Sequence, residues 1–249
     1  MRSRYPSTSN FAYSFGPGPL TPAIKALVMA NVAMFVIAVI MPAITLRLGL
    51  RPADVVGQLQ LWQPFTYMFL HSGIFHILFN MLALWMFGVE LERMWGSRFF
   101  VKYYFVCGAG AALTTLVLAF TPFSFADQLY SSLTIGASGA VYGVLLAYAL
   151  YFPDRPIYMY LVFPIPAKYF VMIIGAISLL SSMGGPGGGV AHTTHLGGLI
   201  AGYLYLKGGR VHLVSELKYR YLKWRINRMR RKFDVYSGGR ADDVDRRVH

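Results

Sequence analysis

Charge is what this chain has least of. Only ten of its 249 residues are Asp or Glu, and 13% are charged in all against 56% apolar. That balance cannot cover a water-exposed surface, and it excludes an ordinary soluble domain. Cysteine is nearly absent. Cys107 alone rules out a disulfide framework. Set inside an apolar run with nothing beside it to lower its pKa, it reads as a small packing residue and not a nucleophile. No His-Glu-x-x-His zinc motif occurs, and His76-x-x-x-Asn80 carries no carboxylate base. A Gly-x-Ser-x-Gly hydrolase elbow would need glycine where Ala140 stands. Every Asp and Glu falls at a helix end, in a loop or in a tail, which removes the buried acids that a proton-relay transporter or channel would want. There is no repeat of useful length, no cofactor signal and no metal site. The first 24 residues place Pro, Gly and Ser where the apolar core of a cleavable signal would stand.

What the chain does have is long uncharged runs. A bilayer span takes ~20 mostly apolar residues. Six are expected: Ala26 to Ala43; a second inside Val55 to Val89, from about Ile74 on; Tyr103 to Ala126; a fourth ending at Pro153; and two in Tyr169 to Leu206, split by the Gly-Pro-Gly stretch Gly184 to Gly189. The last two are short, at roughly 15 to 17 residues, which implies a thinned membrane footprint. The fold class is therefore all-α, a polytopic transmembrane helical bundle. Residues 1–24 precede the membrane domain 25–207, and 208–249 form a basic tail.

The net charge of +13 is unevenly placed, with thirteen of the 23 Lys and Arg from Lys207 onward. Six spans put both termini on one side, and the positive-inside rule makes that side cytoplasmic. Arg2, Arg4, Arg93, Arg98, Lys102, Arg155 and Lys168 then share it, with Arg47 and Arg51 outside. Leu217 to Phe233 interleaves Tyr219, Tyr221, Trp224, Ile226 and Met229 with a dense basic face, as a helix lying on anionic lipid headgroups would. That placement accounts for the positive charge without nucleic acid. Residues after Ser237 read as disordered.

Ionisable residues in a membrane are functional candidates by default. His71, His76, His192 and His195 sit in or beside apolar runs, and Asn80 is one helical turn from His76. Ser138, in Gly136-Ala137-Ser138-Gly139, lies between the loop-like stretch Thr121 to Ser132 and an apolar helix, near a helix N-terminus whose unpaired N–H groups suit a developing oxyanion. At 1.5 Å of rise per residue, Ser138 is about 24 Å from Asp154, His195 about 18 Å from Lys207, and Asn80 and His76 about 15 and 21 Å from Glu90. All four fall in one layer of the outer half. Gly139 and Gly143 on one helix and Gly198 and Gly202 on another are each spaced i, i+4, which lets backbones approach and brings His195 to Ser138.

Taken together, Gly136-Ala137-Ser138-Gly139, His71 with His76-x-x-x-Asn80, and His195-x-x-Gly198-x-x-x-Gly202 resemble the three signature elements of the rhomboid intramembrane proteases, in that family's order and on its second, fourth and sixth helices. The resemblance runs from about residue 26 to 206. It extends to Leu61-Trp62-Gln63-Pro64-Phe65-Thr66, which is similar to the family's Trp-Arg loop with Gln63 in place of the arginine, and to Glu92-Arg93.

The resemblance implies a serine endopeptidase. Ser138 would attack a peptide carbonyl, with His195 as base and then acid and no third acidic member. Tyr142 would stack on His195. His76, Asn80 and the Ser138 backbone N–H would form the oxyanion hole, with His71 a supporting polar group. His192 has no assigned counterpart and is expected to face the external loop. Substrates would be single-pass transmembrane proteins cut near the outer bilayer face. A prokaryotic source would put the enzyme in the bacterial inner membrane. The rival of the same family is a catalytically silent, client-binding member, which usually lacks the serine or the histidine.

Overall fold

The computed structural model describes residues 16–123, 125–159, 163–182, 189–208, 223, 224 and 228. Helices occupy all six apolar runs: α1 Pro22–Ile40, α5 Ile74–Trp95, α6 Ser97–Leu118, α8 Ser138–Tyr151, α9 Ala167–Ser182 and α10 Gly189–Gly208. Four short helices sit in the connections: α2 Ala43–Leu48, α3 Pro52–Gly57, α4 Gln63–Thr66, which runs into a 3-10 turn at Tyr67–Phe69, and α7 Ala126–Ser131. Among the described residues, α1, α5 and α6 are long and apolar enough to cross a membrane, while α8 and α9 are shorter apolar helices.

Charge-free runs mark these helices imperfectly, because a helix ends where its backbone says so. Gly96, at φ +79, turns the chain between α5 and α6, a conformation that costs a side-chain-bearing residue 1 kcal/mol or more. The third helix therefore begins at Ser97, six residues before the expected start, and carries Arg98 and Lys102 in its first two turns. It stops at Leu118, ahead of Thr121-Pro122, so the expected stretch to Ala126 is not helical throughout, and the loop-like segment after it contains α7. The last helix has 20 residues and starts at Gly189, longer than expected. Residues 183–188 of the glycine-rich stretch lie outside the described residues.

One short ribbon stands beside the predominantly helical architecture. Pro156–Met159 (β1) and Phe163–Pro166 (β2) pair antiparallel, with Pro156 opposite Pro166 and Ile157 opposite Ile165. Prolines at 156, 164 and 166 cannot sit in a helix interior, and the alternating apolar residues between them suit a short two-stranded ribbon.

α8 lies at the centre, packed on α6, α5 and α9. Gly139, Ala140, Gly143 and Ala147 are all buried, and their small size lets neighbouring backbones come close. Fully buried Tyr103 of α6 donates its hydroxyl to the Gly143 carbonyl of α8 at 2.7 Å, and Phe100 and Tyr104 of α6 and Leu84 of α5 are fully buried too. Outward faces are apolar too: Met29, Val36 and Ile40 of α1 and Met172, Ile177 and Leu180 of α9 are exposed, the pattern of helices whose solvent is lipid. Glu92 ties α1 to α5. Almost fully buried, it accepts from the backbone N–H groups of Ala23 and Ile24 at 2.9 and 3.0 Å, from Ser97 Oγ at 2.6 Å and from Thr21 Oγ1. It thus caps a helix whose own N-cap residue, Thr21, provides no side-chain cap.

The described residues fall into two compact units, divided between Leu206 and Lys207. In the second, the Arg228 guanidinium stands 5.4 Å from the Trp224 ring centroid. Most of the segment expected to rest on lipid headgroups, the tail after Ser237 and residues 1–15 lie outside the described residues.

Candidate active site

Ser138 is the first residue of α8, and the strand-like approach to it is pinned from the side. Thr134 and Leu50 exchange two backbone hydrogen bonds of 2.8 and 2.9 Å, and the Gly136 N–H donates to the Tyr67 carbonyl at 3.0 Å. Gly136 holds φ +125, and a Cβ built there would meet His76 Nε2 at 2.7 Å and Ser138 Oγ at 3.7 Å. Glycine is required twice over, by the backbone and by the space that two functional side chains share. Behind Ser138, the first-turn N–H groups of α8 have no acceptor within the helix.

His195 on α10 reaches this serine. Its Nε2 lies 2.7 Å from Ser138 Oγ, within range for the hydroxyl to donate to a neutral imidazole. The approach is set by glycine against glycine: a Cβ on Gly198 would fall on the Gly139 carbonyl, and one on Gly202 would come within 3.3 Å of Gly143 Cα. One residue before His195, Thr194 shares a 2.8 Å hydrogen bond with Thr115 of α6. The Tyr142 ring stacks on the imidazole at 4.2 Å and 9°, and Ser178 Oγ of α9 stands 3.4 Å from its hydroxyl. Among the described residues no carboxylate pairs with His195, and its Nδ1 has no hydrogen-bond partner. Packing orients this ring.

His192 departs from expectation. It is half-buried, with its ring edge-on to that of His195 at 5.8 Å. A spacing of three residues on a helix puts both on adjoining faces.

His76, in the first turn of α5, presents Nε2 toward Gly136 and Ser138. Its Nδ1 lies 3.1 Å from Ser72 Oγ and 3.4 Å from the Ser72 backbone N. Asn80 is buried one turn on, and its Nδ2 donates to the His76 carbonyl at 2.9 Å. One of its two N–H bonds is therefore committed within α5. His71 is buried in the bend before α5, its ring edge-on to His76 at 5.0 Å. Among the described residues no three His, Cys, Asp or Glu side chains are grouped to share a metal ion.

The loop ahead of α5 is held by residues that sequence reasoning only half identified. Gln63, fully buried, accepts from the Arg51 N–H at 2.9 Å and donates to Gln60 Oε1 at 2.9 Å. Trp62 Nε1 donates to the Arg47 carbonyl at 3.0 Å and Thr66 Oγ1 to that of Leu48 at 2.6 Å. A neutral amide with one acceptor and two donors serves where an arginine offers only donors. Ser72 and the Leu50–Thr134 pairing escaped notice. A serine four residues before His76 was a legible signal for the first, whereas the second joins distant segments and left none.

A rhomboid domain model matches residues 58–209. Over 155 residues the chain is 34% identical to Rhomboid protease GluP of Bacillus subtilis, covering 62% of this chain and 27% of that protein. It is 31% identical over 151 residues to Rhomboid protease AarA of Providencia stuartii, covering 57% and 54%, and 32% identical over 138 residues to Rhomboid protein 1, mitochondrial, of Saccharomyces cerevisiae, covering 55% and 38%. The chain thus spans between about a quarter and about half the length of these relatives.

Proposed function

Because the chain belongs to the rhomboid family and is an integral membrane protein, we propose that it is an intramembrane serine endopeptidase that cuts single-pass transmembrane proteins with a Ser138–His195 dyad. The observation that carries this reading is the 2.7 Å contact between Ser138 Oγ and His195 Nε2 beneath the Tyr142 ring.

In the first half-reaction Ser138 Oγ adds to the scissile carbonyl carbon while His195 Nε2 takes the hydroxyl proton. The carbonyl electron pair moves onto oxygen, where the Ser138 backbone N–H, His76 Nε2–H and the second Asn80 N–H receive it. The pair then re-forms the carbonyl and expels the amine, which takes its proton from His195, leaving an acyl ester on Ser138. Water repeats the sequence: His195 removes its proton, the ester C–O bond breaks, and the proton returns to Ser138 Oγ. Tyr142 keeps the imidazole plane fixed through both halves. His71 lines the polar side of the pocket behind His76.

Depth agrees with the substrate class. α8 has 14 residues, about 21 Å at 1.5 Å each, less than the ~30 Å hydrocarbon core. With Asp154 and Arg155 just past its other end, Ser138 lies inside the apolar layer, where a helix must unwind before its carbonyls can be attacked.

In this reading six helices form the membrane domain, residues 25–207, with both flanking segments on the cytoplasmic side and the basic tail on anionic headgroups. The relatives are bacterial, mitochondrial and plant proteins, so kinship supports a membrane protein, and the bacterial inner membrane would hold for a prokaryotic source. The test is reconstitution into vesicles with a single-pass reporter carrying small, helix-breaking residues near the outer face. Wild type should yield two fragments, while Ser138→Ala and His195→Ala should yield none. Intact reporter with folded wild type, bound but not cut, would favour the client-binding reading.

A further inference from the structure

His76 can help an oxyanion only as a donor, so which of its ring nitrogens holds the proton decides its use. Neutral imidazole carries one proton, on Nδ1 or Nε2. In the bend before α5, the Ser72 backbone N lies 3.4 Å from His76 Nδ1 and Ser72 Oγ lies 3.1 Å from the same atom. A backbone N–H can only donate. The nitrogen it meets must offer a lone pair, which leaves the proton on Nε2, the atom that a Cβ on Gly136 would meet at 2.7 Å and that faces the Ser138 side.

We propose that the Ser72 side chain is a positioning group for the reaction: with Nδ1 already met by the backbone N–H, its hydroxyl, the nearer of the two contacts, is a second donor to that nitrogen and holds His76 as the Nε2–H tautomer, so that the ring enters the pocket as a donor. The local sequence makes this possible. The N-cap of α5 is Gly73, which has no side chain to cap with. Ser72 is one residue earlier, and His76 occupies the third helical position, from which a side chain can reach back past the helix start, as the glutamate of a capping box does. A free tautomer would turn a lone pair toward the developing oxyanion in a share of the molecules. The consequence for rate rests on the protease reading, whereas the tautomer is a property of the resting protein.

The test compares the full chain in detergent as wild type, Ser72→Ala and Ser72→Thr, with nitrogen-15 histidine spectra at about pH 8, where imidazoles are neutral, and His76 assigned by its loss in His76→Ala. Wild type and Ser72→Thr should show His76 protonated at Nε2, and Ser72→Ala, which keeps only the longer 3.4 Å backbone contact, a detectable share of the Nδ1–H tautomer. In parallel, the fluorophosphonate labelling rate of Ser138 should fall roughly three- to ten-fold in Ser72→Ala, recover in Ser72→Thr, and fall no further when Ser72→Ala is added to His76→Ala. A single unchanged tautomer in Ser72→Ala, or an equal rate loss in the His76→Ala background, overturns the proposal. If wild type does not label at all, the protease reading fails by itself, and the spectra still decide the role of Ser72.

Discussion

The Tyr142 ring lies face to face with the His195 imidazole, 4.2 Å between centroids and 9° from parallel. Among the described residues no carboxylate meets His195 Nδ1, and this stack is the contact that sets the plane of the base. Two stacked aromatic rings contribute about 0.5–1.5 kcal/mol beyond their buried area. Tyr142→Ala should therefore lower kcat about three- to ten-fold with little change in KM, while Tyr142→Phe, which keeps the ring and loses only the 3.4 Å contact with Ser178, should stay near wild type. Steady-state cleavage of the reporter checks both. Equal losses in the two variants would shift the role from ring to hydroxyl.

Helix approach gives a second test. The Gly198 Cα faces the Gly139 carbonyl so closely that an added methyl group has no room, and backbone, unlike the end of a side chain, cannot step aside. Gly198→Ala should cost about 1–3 kcal/mol, a fall of roughly 2–10 °C in Tm for a chain of this size, and should abolish labelling of Ser138 because the dyad distance is set at the same crossing. A Gly198→Ala protein with normal Tm and normal labelling would contradict this packing.

Glu92 anchors the start of α1 with four accepted hydrogen bonds, two of them from backbone N–H groups. Glu92→Ala strands those donors in a buried place, at about 1–3 kcal/mol. Its Tm should drop by several degrees, whereas Glu92→Gln, which keeps one acceptor oxygen, should fall between. The site is at the other end of α5, so labelling measured below the new Tm should change little.

His71 supplies a pH dependence. Burial first, and the neighbouring His76 second, push its imidazole down to about 4 from the usual 6.5. The folded protein thus takes up this proton less readily than the unfolded chain does. Its contribution is complete above pH 6.5 and declines as pH falls toward 4. Thermal melts should show Tm decreasing through that window, and a His71→Gln variant should lose part of the slope. An unchanged slope would place the acid sensitivity elsewhere.

Much of this was written in the residues themselves. Long uncharged runs marked where the longer apolar helices lie and in what order, because lipid forbids scattered charge. The helical spacing of Gly139 with Gly143, and of Gly198 with Gly202, announced the α8–α10 crossing. The Ser138–His195 contact was foreshadowed because serine and histidine in apolar surroundings have few structural reasons to be there. Helix ends were less so: Gly96 starts α6 by its backbone conformation, and the charges Arg98 and Lys102 hid that start. The β-ribbon was masked by a run that is apolar in either conformation. The Leu50–Thr134 pairing joins segments more than eighty residues apart, and local pattern carries no trace of it. Gln63 shows the limit of a motif, since it occupies the arginine position of the resembled loop and anchors that loop with different hydrogen bonds.

The most direct measurement is covalent labelling of the detergent-solubilised protein with a fluorophosphonate, comparing wild type with Ser138→Ala and His195→Ala. A working dyad predicts one label per wild-type chain, located on Ser138 by peptide mapping, and none in either variant. Wild type that is folded yet unlabelled, or label that persists in His195→Ala at the wild-type rate, would contradict an activated serine and with it the proposed protease.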